Sequence, residues 1–509
     1  MVKYNLINKI DKNKHNVLIF INSDKINLNN LKKCFKDITI DKSDLKKKTQ
    51  CNMGKLSCIF APSPKKKDKY DDLEDIRLCL TNCISNIYDI NDKNILICLL
   101  NSDIYDSKSD KSKSDKSKKK KKYSMNEKME SQIISTMSYL YNFTKYKSDK
   151  ESIESPKSVD FFTDNLSDNL KSLFTKCNII GENVNLVRDL GNEPGNKLTP
   201  SNYPELIKKN AKGYSVQIMG ESELKKQGFN NLIAMAAGSK YPAKMVILRY
   251  NGLKDKKTKS KNLSSKSQKN NIVLVGKGVT FDAGGINLKY GNDMYQMKYD
   301  MLGSAVVYSI IDSLAKLKVK KNVIGLLPII ENMPGKSAIK PGDIVTAYNK
   351  KTIEIQDTDA EGRLIMADAL AYSKRFNPKY LIDFATLTGQ ASGITNEESS
   401  MIMSNCDSLC KKTEEIGLKE YERVLRLPIY KEHKELVESD IADIKNVNND
   451  IVNTNCIYAG AFLSEFVPEN TNWMHIDLCN NFLNNDKKYY PKGCTGYGFR
   501  LGLKLVMDL

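Results

Sequence analysis

The sequence predicts an α/β protein of two domains: a C-terminal domain with a mostly parallel central sheet flanked by helices, and a smaller N-terminal α/β domain. Three observations carry this. Beyond residue 191, short apolar runs alternate with helical segments, the rhythm that places parallel strands in one sheet with helices on both faces. A long helical segment over 165–190 separates that region from the first part of the chain. The 509 residues, 40% hydrophobic and 28% charged, are enough for two or three domains with cores of their own.

In order along the chain, Val17–Ile21 and Ile95–Leu100 are short apolar runs in Lys/Asn-rich surroundings and read as buried strands. Met125–Tyr141 reads as a helix. The polar stretch 151–158, with Pro156, suits the end of a domain over 1–160. Asn165–Leu190 reads as the linking helix, with Leu166, Leu170 and Leu173 at helical spacing and a stop at Gly191 and Pro194. From 191 to 509 the strand candidates are Ser215–Met219, Met245–Tyr250, Ile272–Val275, Val323–Pro328 and Tyr380–Phe384. Helices are expected over Ser304–Leu317 and Leu364–Arg375. Sites in such sheets lie at the carboxyl ends of the strands, so the residues just after each strand are the ones to inspect.

The net charge of +19 invites a nucleic-acid reading. Its distribution argues otherwise. Asp106–Lys122 and Lys254–Asn270 together hold 12 of those 19 charges. Both are low-complexity, lack aromatics to stack on bases, and read as solvated, disordered loop insertions. Nucleic acid is therefore not the expected partner. No stretch approaches the ~20 apolar residues of a membrane span, and the polar, lysine-rich start does not resemble a secretory signal. A cytoplasmic protein is expected. The twelve cysteines form no C-x-x-C pair, which favours free thiols over a disulfide framework or a zinc ribbon.

Three segments concentrate unusual polar residues. VGKGVTFDAGGINLK (275–289) runs an apolar strand into glycines that allow sharp turns and close approach. Its Lys277, Asp282 and Lys289 fit neither nucleotide-binding glycine motif. MYQMKYDMLG (294–303) carries Asp300, which by itself reads first as a helix cap. DTDAEGRL (357–364) sets Asp357, Asp359 and Glu361 at alternate positions, which in an extended segment share one side. Apolar residues follow, so the carboxylates head toward the core and need a cation among them. With only three histidines in the chain, His15, His433 and His475, and none near these segments, a metal site would use oxygen ligands, with a deprotonated lysine as the one nitrogen donor these segments offer.

These segments resemble the leucyl aminopeptidase family, the two-metal cytosolic peptidases. Further similar pieces are LVRDLGNEPGNKLTP (186–200), ENMPGKSAIKPGDIVTAYNKKTIEIQDTDAEGRL (331–364), IDFATLTG (382–389), LPIYKEHKELVESDIADIKN (427–446) and TGYGFRL (495–501). The resemblance spans about residues 180–509 and leaves the first ~160 without a motif. It implies a metallo-aminopeptidase that releases N-terminal residues, preferably leucine or other apolar ones, from short peptides. Lys277, Asp282, Asp300 and Glu361 match the ligands of the tighter site, and Asp282, Asp359 and Glu361 those of the exchangeable one. The ions implied are two divalent metals, Zn or Mn foremost, with Mg and Co as alternatives. Lys289 and Arg363 match the two catalytic residues that hold no metal, Arg363 with a bicarbonate. Met297, Thr386, Leu387 and Gly389 match substrate-binding positions. A homohexamer is also implied. The chain departs from the family at Asp357 (usually Asn), Ala283 (usually Ser) and Leu302 (usually Gly). The competing reading is a nucleic-acid-binding or scaffold protein that uses the basic insertions.

Overall fold

A computed structural model of the chain describes residues 2–11, 14–21, 25–34, 40, 42–53, 56–62, 72–85, 87, 93–100, 123–149, 155–253, 271–395, 398–448, 455–478, 483–484, 490 and 492–509. The insertions expected at 106–122 and 254–270 lie outside these residues. The chain divides into two compact units, Met1–Glu182 with Asp486–Pro491, and Asn183–Asn485 with Lys492–Leu509.

In the first unit six described strands form one sheet, in the order Lys3–Ile7, Ser158–Phe162, Asn94–Cys98, Val17–Ile21, Leu56–Ala61 and Thr49–Met53. All neighbours run parallel except the last pair. The strand Val17–Ile21 is buried along its whole length, as a central strand covered on both faces must be. Ser158, the last residue of the polar stretch, begins the strand Ser158–Phe162 of this sheet. Ser124 caps the helix Met125–Tyr139 through a reciprocal pair with Glu127, which satisfies the first-turn N–H groups. The helix Asp168–Asn192 crosses the division between the units.

The second unit holds a mixed sheet. Its four central strands, Asn472–Asp477, Pro378–Ala385, Asn271–Gly276 and Asn322–Asn332, run parallel. Antiparallel strands Lys244–Asn251 and Ser215–Met219 extend one side, and Ser400–Ser404 joins antiparallel on the other. The strand Asn322–Asn332 runs four residues past the Pro328 at which the sequence suggested a stop. Proline lacks an N–H to pair, and here it falls where the parallel neighbour changes. Val323–Leu326 pair with Ile272–Val275, and Ile329 and Ile330 with Gly278 and Val279.

Helices cover both faces. Gly325 faces Val307 and Ile311 of the helix Leu302–Lys316, while Ile324 and Leu326 join the core cluster containing Leu364, Met366 and Leu370 of the helix Glu361–Tyr372. The former helix approaches the sheet closely at its start. A Cβ on Gly303 would lie 2.1 Å from the Phe384 carbonyl oxygen, and one on Gly276 would lie 2.5 Å from that of Gly303. The carboxyl ends of the parallel strands thus meet one helix start without intervening side chains. Among the described residues no helix is long and apolar enough to cross a membrane.

Candidate metal centre

Two of the segments that build the site leave the carboxyl ends of parallel strands in the central sheet. Lys277 follows the strand Asn271–Gly276, and Thr386–Gly389 follow Pro378–Ala385. The short strand Gly278–Asp282 ends on Asp282. Gly284 and Gly285 then adopt φ of +87° and +66°, a region open to glycine at little cost. The turn brings the loop so close to the acidic segment that a Cβ on Gly284 would sit 2.7 Å from Asp359 Oδ1.

The segment 357–360 is a turn and not the extended stretch expected from alternation; Asp357 Oδ1 accepts from the Asp359 N–H at 2.8 Å. An asparagine would accept that bond equally well, so the carboxylate at 357 adds charge and not geometry. The helix begins at Glu361, three residues earlier than expected, and buries that side chain in its first turn. Asp300 does not cap the helix after it; its carboxylate turns to Lys277 and Thr386 instead.

Four carboxylates and two lysines converge. Lys277 Nζ lies 2.7 Å from Asp300 Oδ1 and 2.9 Å from Glu361 Oε1, and donates to the Thr386 carbonyl at 3.0 Å. Lys289 Nζ lies 2.9 Å from Asp282 Oδ2 and 2.6 Å from Asp359 Oδ1. One oxygen each of Asp282, Asp359 and Glu361 fall within 4.8 Å of one another. Burial, and then the other carboxylates, hold Asp282, Asp300 and Asp359 above the usual carboxylate range. Burial works against ionised Glu361 too, but Lys277 and Lys289 keep it below that range. Burial alone would lower Lys277, yet Asp300 and Glu361 raise it, so among these neighbours it is a firm cation. It becomes a neutral ligand only where another cation relieves it of that charge.

The donor set suits hard divalent ions. Two buried oxygens, Asp300 Oδ2 and Glu361 Oε2, lack hydrogen-bond partners, and orphaned buried carboxylate oxygens are costly unless a cation meets them. Four carboxylates against two ammonium groups also leave uncompensated negative charge in a buried cluster.

A cavity of about 930 Å³ opens over this cluster. Lys277, Asp282, Lys289, Asp300, Asp359 and Glu361 line it, as do Met297, Thr386, Leu387 and Gly389. Ile286 and Leu288 add apolar wall. Arg363 does not line it. That residue is buried, donates from Nη1 to the Asn446 carbonyl at 2.9 Å and lies over the Tyr458 ring.

Three residues that the sequence did not single out hold the site together. Asn332 donates to Asp282 Oδ1 at 2.9 Å and to the Thr358 carbonyl at 3.0 Å. Thr358 Oγ1 donates to the Gly284 carbonyl at 2.7 Å and accepts from Asn287 N–H. Asn446 accepts from Gln356 N–H at 2.8 Å and donates to the Asp357 carbonyl at 2.6 Å. The one available hint was a buried-side amide ending an apolar strand, in the case of Asn332.

Residues 185–502 match the catalytic domain of the cytosol aminopeptidase family. The cytosol aminopeptidase of Rickettsia prowazekii (strain Madrid E) is 36% identical over 374 residues, 72% of each chain. The probable cytosol aminopeptidase of Rickettsia africae (strain ESF-5) is 37% identical over 375 residues, again 72% of each. Among solved structures, the bottromycin maturation enzyme BotP superposes with a TM-score of 0.78 at 22% identity, covering 97% of this chain and 99% of that one. Its complex with Mn gives a TM-score of 0.77. At that identity the likeness speaks for the fold alone.

Proposed function

Because the chain belongs to the cytosol aminopeptidase family and is a metallo-aminopeptidase, we propose that it removes leucine and other apolar N-terminal residues from short peptides with a two-metal centre. The observation that carries this reading is the buried cluster of four carboxylates and two lysines on the cavity floor. Lys277, Asp282, Asp300 and Glu361 would hold one ion, and Asp282, Asp359 and Glu361 the other, Zn or Mn foremost. Such ions supply a water acidic enough to serve as hydroxide near neutral pH, and positive charge beside the scissile carbonyl.

The protein's own groups have separate tasks. Burial would lower the pKa of Lys289, but Asp282, Glu361 and Asp359 raise it above the ordinary lysine value and hold the side chain as a cation. Its ammonium would stabilise the negative charge that develops on the carbonyl oxygen. The loop Thr386–Gly389 would receive the free α-amine, with the Leu387 carbonyl as acceptor. Exopeptidase action follows, since an internal residue offers no such amine. Met297, Leu387, Ile286 and Leu288 would form an apolar wall for the first side chain. Arg363 would bind a bicarbonate that carries a proton to the leaving amine, after its side chain turns from the Asn446 carbonyl toward the cavity. No side chain is required as a nucleophile. A cytoplasmic homohexamer is part of the same reading, and sites facing an inner chamber would admit only short peptides.

The test compares leucyl-amide with N-acetyl-leucyl-amide on metal-stripped protein, before and after adding Mn²⁺. Cleavage of the free-amine substrate alone, and only with metal, is expected. Cleavage of both substrates, or cleavage that survives metal removal, would refute the mechanism.

A further inference from the structure

We infer that Asp477 is a positioning residue that sets the tilt of the substrate loop and, through one peptide plane, anchors Lys277 in the metal cluster. The inference rests on the reading of the site given above. Asp477 ends the strand Asn472–Asp477, directly opposite Ala385, which ends the neighbouring parallel strand. At that level the chain leaves the sheet into the loop 386–389. Asp477 is fully buried. One of its carboxylate oxygens accepts from the Leu387 N–H at 3.0 Å, and the other accepts from the Thr388 hydroxyl at 2.6 Å.

The consequence comes from peptide geometry. In a trans peptide the N–H of one residue and the C=O of the residue before it point in opposite directions. Drawing the Leu387 N–H toward Asp477 therefore turns the Thr386 carbonyl the other way. That carbonyl accepts from Lys277 Nζ at 3.0 Å. The Thr386 hydroxyl meanwhile donates to Asp300 Oδ1 at 2.8 Å, on the same oxygen that pairs with Lys277. A single rigid plane thus has a buried carboxylate on one edge and the ammonium of the metal cluster on the other. Gripping the Thr388 hydroxyl as well stops the loop from rotating about that plane. Two hydrogen bonds onto one buried carboxyl group, one from the backbone and one from a side chain, fix the loop at two points, so the arrangement is stiff. Lys277, Asp300 and Leu387, which all border the cavity, take their places from it.

The role is tested with Asp477→Asn, which keeps the shape, and with Thr388→Val and Thr388→Ser. Each variant is measured for Mn²⁺ affinity by calorimetry on metal-stripped protein, for kcat and KM on leucyl-amide, and for melting temperature. Loss of an outer partner of this kind lowers metal affinity or activity by about 10–100-fold. Asp477→Asn should weaken Mn²⁺ binding and raise KM about tenfold. Thr388→Val should raise KM in the same direction, and Thr388→Ser, which restores the hydroxyl, should recover the parental value. A purely structural role would instead lower the melting temperature without moving KM, and serine would not recover what valine lost. The proposal is overturned if Thr388→Val and a folded Asp477→Asn keep both Mn²⁺ affinity and KM within twofold of the parent. Should Asp477→Asn not fold, the valine and serine pair decides alone. The calorimetric arm needs no substrate. A parent protein that bound Mn²⁺ but cleaved nothing would sink the peptidase reading and leave this one to be judged on affinity.

Discussion

Replacing Gly362 with alanine puts a methyl group where the site has no room for one. Gly362 lies in the first turn of the helix Glu361–Tyr372. A Cβ there would sit 2.5 Å from Lys277 Cε, 2.7 Å from its Nζ and 3.0 Å from Leu387 Cδ1. The tip of a long side chain normally steps aside at little cost. Lys277 cannot, because its ammonium is fixed to Asp300, Glu361 and the Thr386 carbonyl in a buried setting. Restoring an ordinary carbon contact of about 3.5–4.0 Å moves it by about 1 Å and breaks at least one of those bonds. A hydrogen bond to a charged group contributes about 1.5–3 kcal/mol, while alanine is better than glycine inside a helix by about 1 kcal/mol. The expected net loss of stability is therefore about 0.5–2 kcal/mol. The larger effect should be a fall of about 10–100-fold in Mn²⁺ affinity or kcat/KM. Thermal unfolding, calorimetric titration of metal-stripped protein and leucyl-amide hydrolysis read the three quantities. Gly393→Ala is the control, because a Cβ on Gly393 meets nothing within 4 Å. If Gly362→Ala keeps affinity and kcat/KM within threefold of the parent, Lys277 is not pinned and the case for it as a ligand fails.

Gly303→Ala should be far more disruptive to folding, by about 3 kcal/mol or more, because its Cβ would meet the Phe384 backbone oxygen at 2.1 Å and backbone cannot step aside. A denaturant midpoint equal to the parent's would contradict this. Lys289→Met keeps the side-chain stem and removes the ammonium, so kcat should fall by about 10²–10³ while Mn²⁺ still binds; retention of a tenth of the parental kcat would count against its role. Stability at low pH should depend on Asp160. Burial would raise its pKa, but hydrogen bonds from His15, Lys14 and Asn5 hold it down to about 2. The folded value lies below the unfolded one near 3.9, so the unfolded chain binds more protons between those pH values. The stabilisation is full above about pH 4 and is lost as pH falls toward 2. Asp160→Asn should flatten that slope in urea unfolding from pH 5 to 2.5, and an unchanged slope would refute the assignment.

Much of the second unit was legible because its signals are local. The strand Ser215–Met219 has the bounds expected from its apolar run, and Tyr380–Phe384 lies inside the observed Pro378–Ala385. The glycines at 276, 284 and 285 announced a backbone that turns sharply beside something close. Where local rules misled, a distant partner overrode them. Pro328 did not end its strand, because the sheet supplies a change of neighbour at that point. The acidic residues at 357, 359 and 361 do not share a side of an extended segment. Asp359 and Glu361 converge because Asp357 folds back on the Asp359 N–H and the helix starts at Glu361.

Which groups are available for chemistry was already written along the chain: lysines and carboxylates near apolar runs, too many of one sign to be buried without a cation. Side-chain chemistry and short-range backbone preference are properties of neighbours along the chain, so they can be read there. Which of these groups meet, and what holds them, came from contacts between distant segments. Lys277 finds Thr386 across 109 residues, Asn446 clamps the turn at 357 across 89, and Asp477 aims the loop at Leu387 across 90. Such a contact also turned Arg363, adjacent in sequence to the acidic cluster, away from the cavity and toward the Asn446 carbonyl. A hydrogen bond between distant segments leaves no periodicity or composition behind. It exists only once the parallel sheet has brought the carboxyl ends of its strands together.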